Sequence, residues 1–324
     1  MTAVKVNIKE FNAVGEAFPE MPAPPPMNGE LSAHHHALFA CYEEGEKGRV
    51  TAYVVDGTGY LGWYACSDNK TLAHSLLTAA TEWLKSNGCR EVHGPINGST
   101  WGDYRFNLDS NIPLFPGEPA QPLYYVKQWE SFGFSSNLEY ETTIIKEHPD
   151  KTLSLEDVNQ HLGQFGAKAS YFPKEISEQL SRELYDFYHL CFQNNPLFNP
   201  ISFDAYNELT QKAAAILDYD CSYLLEDNEG KPIGVFIAYR DVLSENREGS
   251  ESILFMKTIA VHPDWQNKFI GQMMVMLTIL RSAEVGYDKS VFSLMFSQNV
   301  SAIKGKSNFG STILRNYALF KLSI

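Results

Sequence analysis

Apolar residues recur in two rhythms along the chain, and the change of rhythm separates strands from helices. Positions 37–41 and 49–55 are rich in β-formers and flank the breaker-rich YEEGEKG, which predicts a hairpin. A third strand follows at 59–65, GYLGWYA. From 71 to 86 the spacing turns helical: Leu72, Leu76, Ala79, Ala80, Trp83 and Leu84 fall near one face. Ser67-Asp68-Asn69 supplies the start of this helix and Asn87-Gly88 its end. A short strand at 90–93 runs into Gly94-Pro95, a second helix at 123–132 closes on Gly133-Phe134, and a strand covers 140–145.

Two further helices, at 176–192 and 203–217, lead into a second pass through the same order. Strands at 222–225, 232–239 and 253–261 precede a helix at 270–285 that ends on Gly286. A strand at 290–296, a short helix at 300–309 closing at Gly310, and a last strand at 312–322 complete it. Two copies of one mixed α/β unit are the simplest account. The polar stretch HPDKTLSLEDVNQ at 147–160 marks the expected boundary, giving domains 1–150 and 151–324. The first thirty residues predict little regular structure, and Met21–Met27 (MPAPPPM) reads as an extended connector.

Composition narrows the function. The 324 residues are 44% hydrophobic, enough for buried cores, and carry a net charge of −13, with both halves acidic. An acidic chain lacks the basic stripe that displaces counterions from nucleic acid or docks on anionic lipid, so neither partner is expected. The most apolar stretch, Ile270 to Leu280, is well short of the ~20 residues that span a bilayer. The start, MTAVKVNIKEFNAVGEAF, has no basic segment leading into an apolar one, so no signal peptide is expected. Five cysteines at 41, 66, 89, 191 and 221 form no CxxC pair, which fits a reduced cytoplasmic compartment. His34, His35 and His36 alternate faces if extended and cannot converge on one ion, and no metal is expected.

The candidate chemistry lies in MKTIAVHPDWQNKFIG, residues 256–271. A strand there runs through a loop into a helix, and such a helix start offers orphan N–H groups and a positive dipole end to a phosphate. The segment resembles the GNAT superfamily of N-acetyltransferases, in which V-x-P-x-x-R/Q-G-x-G-I-G joins a strand to the helix that receives an acyl-CoA pyrophosphate. Val261, Pro263, Gln266, Ile270 and Gly271 match. The resemblance implies that Gln266, Asn267, Lys268, Phe269, Ile270, Gly271 and Gln272 bind acetyl-CoA or another acyl-CoA, and that Ile259 and Val261 pair with its pantetheine. Asn267 and Phe269 stand where the family has glycines. A side chain there either narrows the cradle or must accept a positive φ. The same junction also occurs as a plain turn in other α/β proteins.

Further along, Asn299 and Ala302 match the family's N-x-x-A, and Lys306 stands where the family has the tyrosine proposed to protonate the leaving thiolate. The resemblance therefore points to Asn299 and Lys306 as catalytic residues; the other reading of Lys306 is a solvated surface lysine. In the first half, Gly59–Trp63, Glu82-Trp83-Leu84, and Gly94-Pro95-Ile96-Asn97-Gly98-Ser99, together with Arg315–Phe320 near the end, resemble a bacterial subfamily of tandem acetyltransferase-like proteins. The first half has Ser67-Asp68-Asn69-Lys70 in place of a glycine-rich loop and reads as a degenerate copy. Trp101, Tyr104 and Arg105 are candidates to hold the acceptor by stacking and charge, or else pack internally.

The fold implied is α/β with a mixed sheet, as two tandem GNAT-like domains, the second carrying the acyl-CoA loop. Two functions remain open. One is an acyl-CoA-dependent N-acyltransferase that acts on a small-molecule or amino-acid amine and needs no metal. The other is a catalytically inactive GNAT-like protein that binds a ligand or partner. Aminoacyl-tRNA-dependent transfer is a third reading, which the acidic charge disfavours. The sequence leaves the general base, the acyl length and the oligomeric state open.

Overall fold

The computed structural model describes residues 2–15, 34–109, 113–147, 149, 151–244 and 251–324. The proline-rich Met21–Met27 lies outside them. The chain divides into two compact units, Met1–Tyr140 with Arg315–Ile324, and Glu141–Leu314. The expected boundary at 150/151 differs from this division at both ends. The polar stretch at 147–160 contains no linker signal alone: Ser154 and Asp157 form a reciprocal capping box that starts a helix. The last ten residues return to the first unit.

In the first unit, the elements are β1 (Val4–Lys5), α1 (Ile8–Gly15), β2 (His35–Glu43), β3 (Glu46–Val55), β4 (Thr58–Cys66), α2 (Lys70–Ser86), β5 (Glu91–Gly94), β6 (Phe106–Asn107), α3 (Tyr124–Phe132) and the first half of β7 (Ser135–Ile145). Strands β1 to β4 form an antiparallel meander, and β5 lies parallel to β4. Leu72, Leu76, Leu77 and Leu84 of α2 bury their side chains completely against Val50, Leu61 and Cys66 of the sheet. Helix α1 is regular structure that the apolar spacing did not predict. It is held from the sheet side: Arg49 lies 4.5 Å from the Phe11 ring centroid and donates to the Phe11 carbonyl at 2.9 Å.

The second unit continues from β7 with α4 (Leu155–Gly163), β8 (Ala167–Tyr171), α5 (Glu178–Phe192), α6 (Phe203–Ala214), β9 (Tyr223–Asp227), β10 (Pro232–Arg240), β11 (Ile253–Val261), α7 (Ile270–Glu284), β12 (Lys289–Phe296), α8 (Val300–Phe309) and the start of β13 (Thr312–Ser323). Its strands follow the order β7-β12-β11-β10-β9-β8. Ile270, Met274, Leu277 and Ile279 of α7 pack with Met256, Phe236 and Phe292 into its core. Helix α4 begins inside the expected boundary segment at 147–160, and strand β8, just beyond it, is not predicted by the apolar spacing.

The remainder of β13 belongs to the first unit and pairs antiparallel with β5, Phe320 opposite Gly94 and Leu322 opposite Val92. Arg315 forms a fully buried ion pair with Glu118 and donates to the Pro113 carbonyl at 3.0 Å. Tyr317 donates its hydroxyl to the same carboxylate. Among the described residues, no helix is long and apolar enough to cross a membrane.

Candidate functional site

Strand β11 is the centre of the second unit. It pairs with β10 along its length, with a slip between Ile237 and Ala238 that leaves Lys257 as an extra residue on β11. Such a bulge twists a strand away from its neighbour. On the other side, β11 and β12 run parallel in register only from Ile253↔Lys289 to Met256↔Phe292. Beyond that pair β11 continues to Val261 and β12 to Phe296, so the two strands part. Ile259 and Val261 both lie on the parted stretch, and both are half-buried.

At the end of β11 the chain makes a short 3-10 turn, Pro263–Trp265, and then enters α7. Asn267 and Phe269 both hold left-handed backbone, with φ of 64° and 61°. This is the conformation that glycine adopts without penalty. In other residues it costs about 1–2 kcal/mol, least for asparagine. Phe269 is the N-cap of α7 and supplies no side-chain cap. Its ring is 71% exposed, so the benzyl group points away from the helix axis and does not close the loop. A Cβ added at Gly271 would meet only the Val261 side chain, at 3.9 Å. The space beside the first turn of α7 is therefore open.

Neighbours brace this loop. His161 of α4 contacts the Lys268 carbonyl through Nε2 at 3.0 Å. The Lys268 ammonium donates to the Asp264 carbonyl at 3.1 Å and sits 4.3 Å from the Trp265 ring centroid. Gln266 donates its side-chain amide back to the Val261 carbonyl at 3.3 Å. Lys268 and Gln266 thus fix the loop itself, while Gln272 is exposed at the start of α7.

Asn299 starts α8, where its carbonyl accepts from the Ile303 amide at 3.1 Å and its side chain is exposed. Lys306 is not a freely solvated lysine. Its Nζ lies 2.6 and 2.7 Å from the two oxygens of Glu141, a carboxylate buried on β7. Glu141 was missed from sequence. The available signal was a charged residue in phase with Thr143 and Ile145 on the buried second half of the strand.

The acceptor candidates of the first unit separate. Trp101 is half-buried. Arg105 is buried, with its guanidinium 3.6 Å from the Tyr104 ring centroid and 4.0 Å from that of Tyr140. Burial pushes its pKa down to about 9, against the opposing influence of Tyr140 and Tyr317. The Arg105 guanidinium is enclosed by the Tyr104 and Tyr140 rings.

No protein-family profile and no curated protein matches the sequence. Solved structures do match along the whole chain. A probable N-acyltransferase from Enterococcus faecalis V583 aligns with a TM-score of 0.57 at 10% identity, over 99% of this chain and 71% of that one. A tandem GNAT protein from the clavulanic acid biosynthesis pathway aligns at 0.52 and 9% identity, over 99% and 98%. A GCN5-related N-acetyltransferase from Sphaerobacter thermophilus aligns at 0.50 and 12% identity, over 99% and 95%. The chain has the tandem GNAT fold.

The two units of this fold treat corresponding places differently. In the first, β4 also carries a bulge, at Trp63-Tyr64, just past its parallel pairs with β5. There the parting is filled by the chain's own backbone. Ile96 donates to the Leu61 carbonyl at 2.8 Å, and the Trp63 amide donates to the Asn97 side chain at 2.6 Å. A Cβ on Gly62 would lie 2.1 Å from the Ile96 carbonyl oxygen. The start of α2 is likewise closed, because Asn69 accepts from the Leu72 amide at 3.0 Å.

Proposed function

We propose that the second unit binds acetyl-CoA or another acyl-CoA and that the protein is an N-acyltransferase for a small-molecule or amino-acid amine. The observation that carries this reading is the pair of left-handed residues, Asn267 and Phe269, which keep a glycine-type turn at the uncapped start of α7. A non-glycine side chain does not adopt this backbone for nothing, and strain of this kind concentrates where a loop must meet a ligand. The acidic net charge makes a cationic or neutral amine the natural acceptor and gives no support to RNA.

In this reading the amides of residues 267–272 receive the pyrophosphate, with the dipole end of α7 behind them. Ile259 and Val261 present backbone groups of β11 to the pantetheine arm, as an edge accepts an added strand. Backbone N–H groups near the Lys257 bulge stabilise the developing oxyanion. Lys306 supplies the proton that the leaving sulfur needs. Asn299 opens the helix that carries Lys306. The first unit, closed at both corresponding places, serves as scaffold.

Thermal unfolding with acetyl-CoA tests this, with Gly271→Glu alongside. A ligand at 100 times its dissociation constant adds about 2.7 kcal/mol to the native state. We expect a clear upward shift in the parent and none in the variant, whose unliganded melting stays near normal because the space at Gly271 is open. No shift at millimolar acetyl-CoA overturns the reading. Binding without turnover on any amine would instead establish a ligand-binding protein.

A further inference from the structure

Glu141 is a buried ion with little to satisfy it. An ionised carboxylate offers about four acceptor positions. Among the described residues, Lys306 is its only charge or hydrogen-bond partner. Both Nζ–O distances are short, and the lysine side chain is 36% exposed while the carboxylate is 4% exposed. For stability alone, a buried pair of this kind is a poor choice, because packed apolar side chains do as well. The arrangement does one thing that apolar packing cannot: it holds an ammonium group in one place.

That place is set by two contacts. Thr142, the next residue on β7, accepts from the Leu294 amide at 3.3 Å. Leu294 is two residues past Phe292, the last position at which β12 stays in register with β11. On α8, the Phe309 ring lies 6.1 Å from that of Phe292. Lys306 sits one turn earlier on the same side of the helix. The ion pair therefore stands on the β7 side of β12, at the height along that strand where its other edge leaves β11.

We propose that Glu141 is a positioning residue, which fixes the Lys306 ammonium one strand from this opening so that it can reach across β12 and protonate the departing sulfur. The proposal rests on the thioester reading above. In the step, the acceptor nitrogen bonds to the acyl carbon, and the carbon–sulfur bond breaks with its electron pair going to sulfur. A proton passes from Lys306 Nζ to sulfur. The surplus proton on the new amide nitrogen then returns to Nζ, so the pair is restored and one amide and one thiol are formed.

Two measurements test it on the full chain. In the first, acetic anhydride labels the lysines and peptide mass spectrometry reads Lys306 against the exposed Lys127. Glu141→Gln should raise the relative labelling of Lys306 roughly tenfold, since a neutral amide no longer holds the ammonium. In the second, acetyl-CoA turnover is measured with amines drawn from an amino-acid panel. Glu141→Gln should lower kcat roughly tenfold or more and leave KM for acetyl-CoA within about twofold. Because Glu141 acts through Lys306, adding Glu141→Gln to Lys306→Met should cost nothing further. If Glu141→Gln does not fold, Lys306→Arg replaces it: the ion pair and melting temperature should persist while kcat falls as in Lys306→Met. Unchanged Lys306 labelling, additive losses, or full activity in Lys306→Arg overturns the positioning role. Failure of the parent to bind acetyl-CoA overturns the thioester reading instead, and the two outcomes are read separately.

Discussion

Arg315 and Glu118 face each other with no exposed side-chain surface, far apart in sequence and joined inside the first unit. Burial holds the Arg315 guanidinium below its usual pKa, and the nearby Tyr317 and Asp109 oppose that. Removing one member strands the other. Arg315→Met should destabilise the protein by about 3–5 kcal/mol, the cost of an uncompensated buried charge. Urea unfolding monitored by tryptophan fluorescence checks this, and a loss below about 1 kcal/mol would show that the pair is dispensable.

Gly62 is the most closely approached glycine among the described residues of the first unit. With an added Cβ placed 2.1 Å from the Ile96 carbonyl oxygen, the neighbour is backbone and cannot step aside. Gly62→Ala should fold poorly or lose several kcal/mol, in the range of about 3 kcal/mol or more for severe overpacking. Gly88→Ala is the comparison with open space but left-handed backbone, and should cost only about 1–2 kcal/mol. Equal melting temperatures for the two variants would contradict the closed parting in the first unit.

Phe269 gives a prediction of opposite sign. Its left-handed backbone is strained and its ring is largely exposed, so Phe269→Gly relieves strain and gives up little packing. Stability should stay level or rise by up to about 1 kcal/mol, with acetyl-CoA binding retained. A clear loss of stability would mean that the ring has a packing role.

His93 predicts a pH effect. It is buried, and its pKa is lowered first by desolvation and then by Lys321, which faces it across the β5–β13 pair; Glu91 opposes the shift. In the unfolded chain the same imidazole titrates near its ordinary value. Below about pH 6.5 the unfolded state therefore takes up a proton that the folded state resists. The stability associated with neutral His93 is full above that pH and declines as pH falls toward the lower folded value. Melting temperatures at pH 7.5 and 5.5 should differ less in His93→Leu than in the parent. An unchanged difference would assign the acid sensitivity to other groups.

How much of this was legible follows from what each element depends on. Helices α2 and α7 were read nearly to the residue, because their apolar faces and terminal glycines are local signals. Helix α4 was read as a boundary although Ser154 and Asp157 spell out its start, since a capping box in a polar stretch also looks like a linker. Strand β13 was placed correctly in sequence, but its partner β5 lies more than two hundred residues away and no periodicity encodes that pairing. At Asn267 and Phe269 the sequence departs from glycine while the backbone does not, so residue identity understated how well the turn is kept. Arg105 stayed open between two readings, because a charge among aromatic residues reads equally well as a binding site or as a buried stack. Glu141 had no motif to announce it, only its phase with the apolar second half of β7.

The return of residues 315–324 to the first unit has a consequence for how the molecule is made. Translation delivers β5 early, but the strand that covers its open edge emerges only after the whole second unit has been synthesised. The first unit to leave the ribosome is thus the last to be completed. Until then Val92 and its neighbours present an unpaired apolar edge, the kind of surface that invites association with other chains. Yield during expression should therefore respond to the speed of elongation and to chaperones that shield strand edges, independently of how stable the finished protein is.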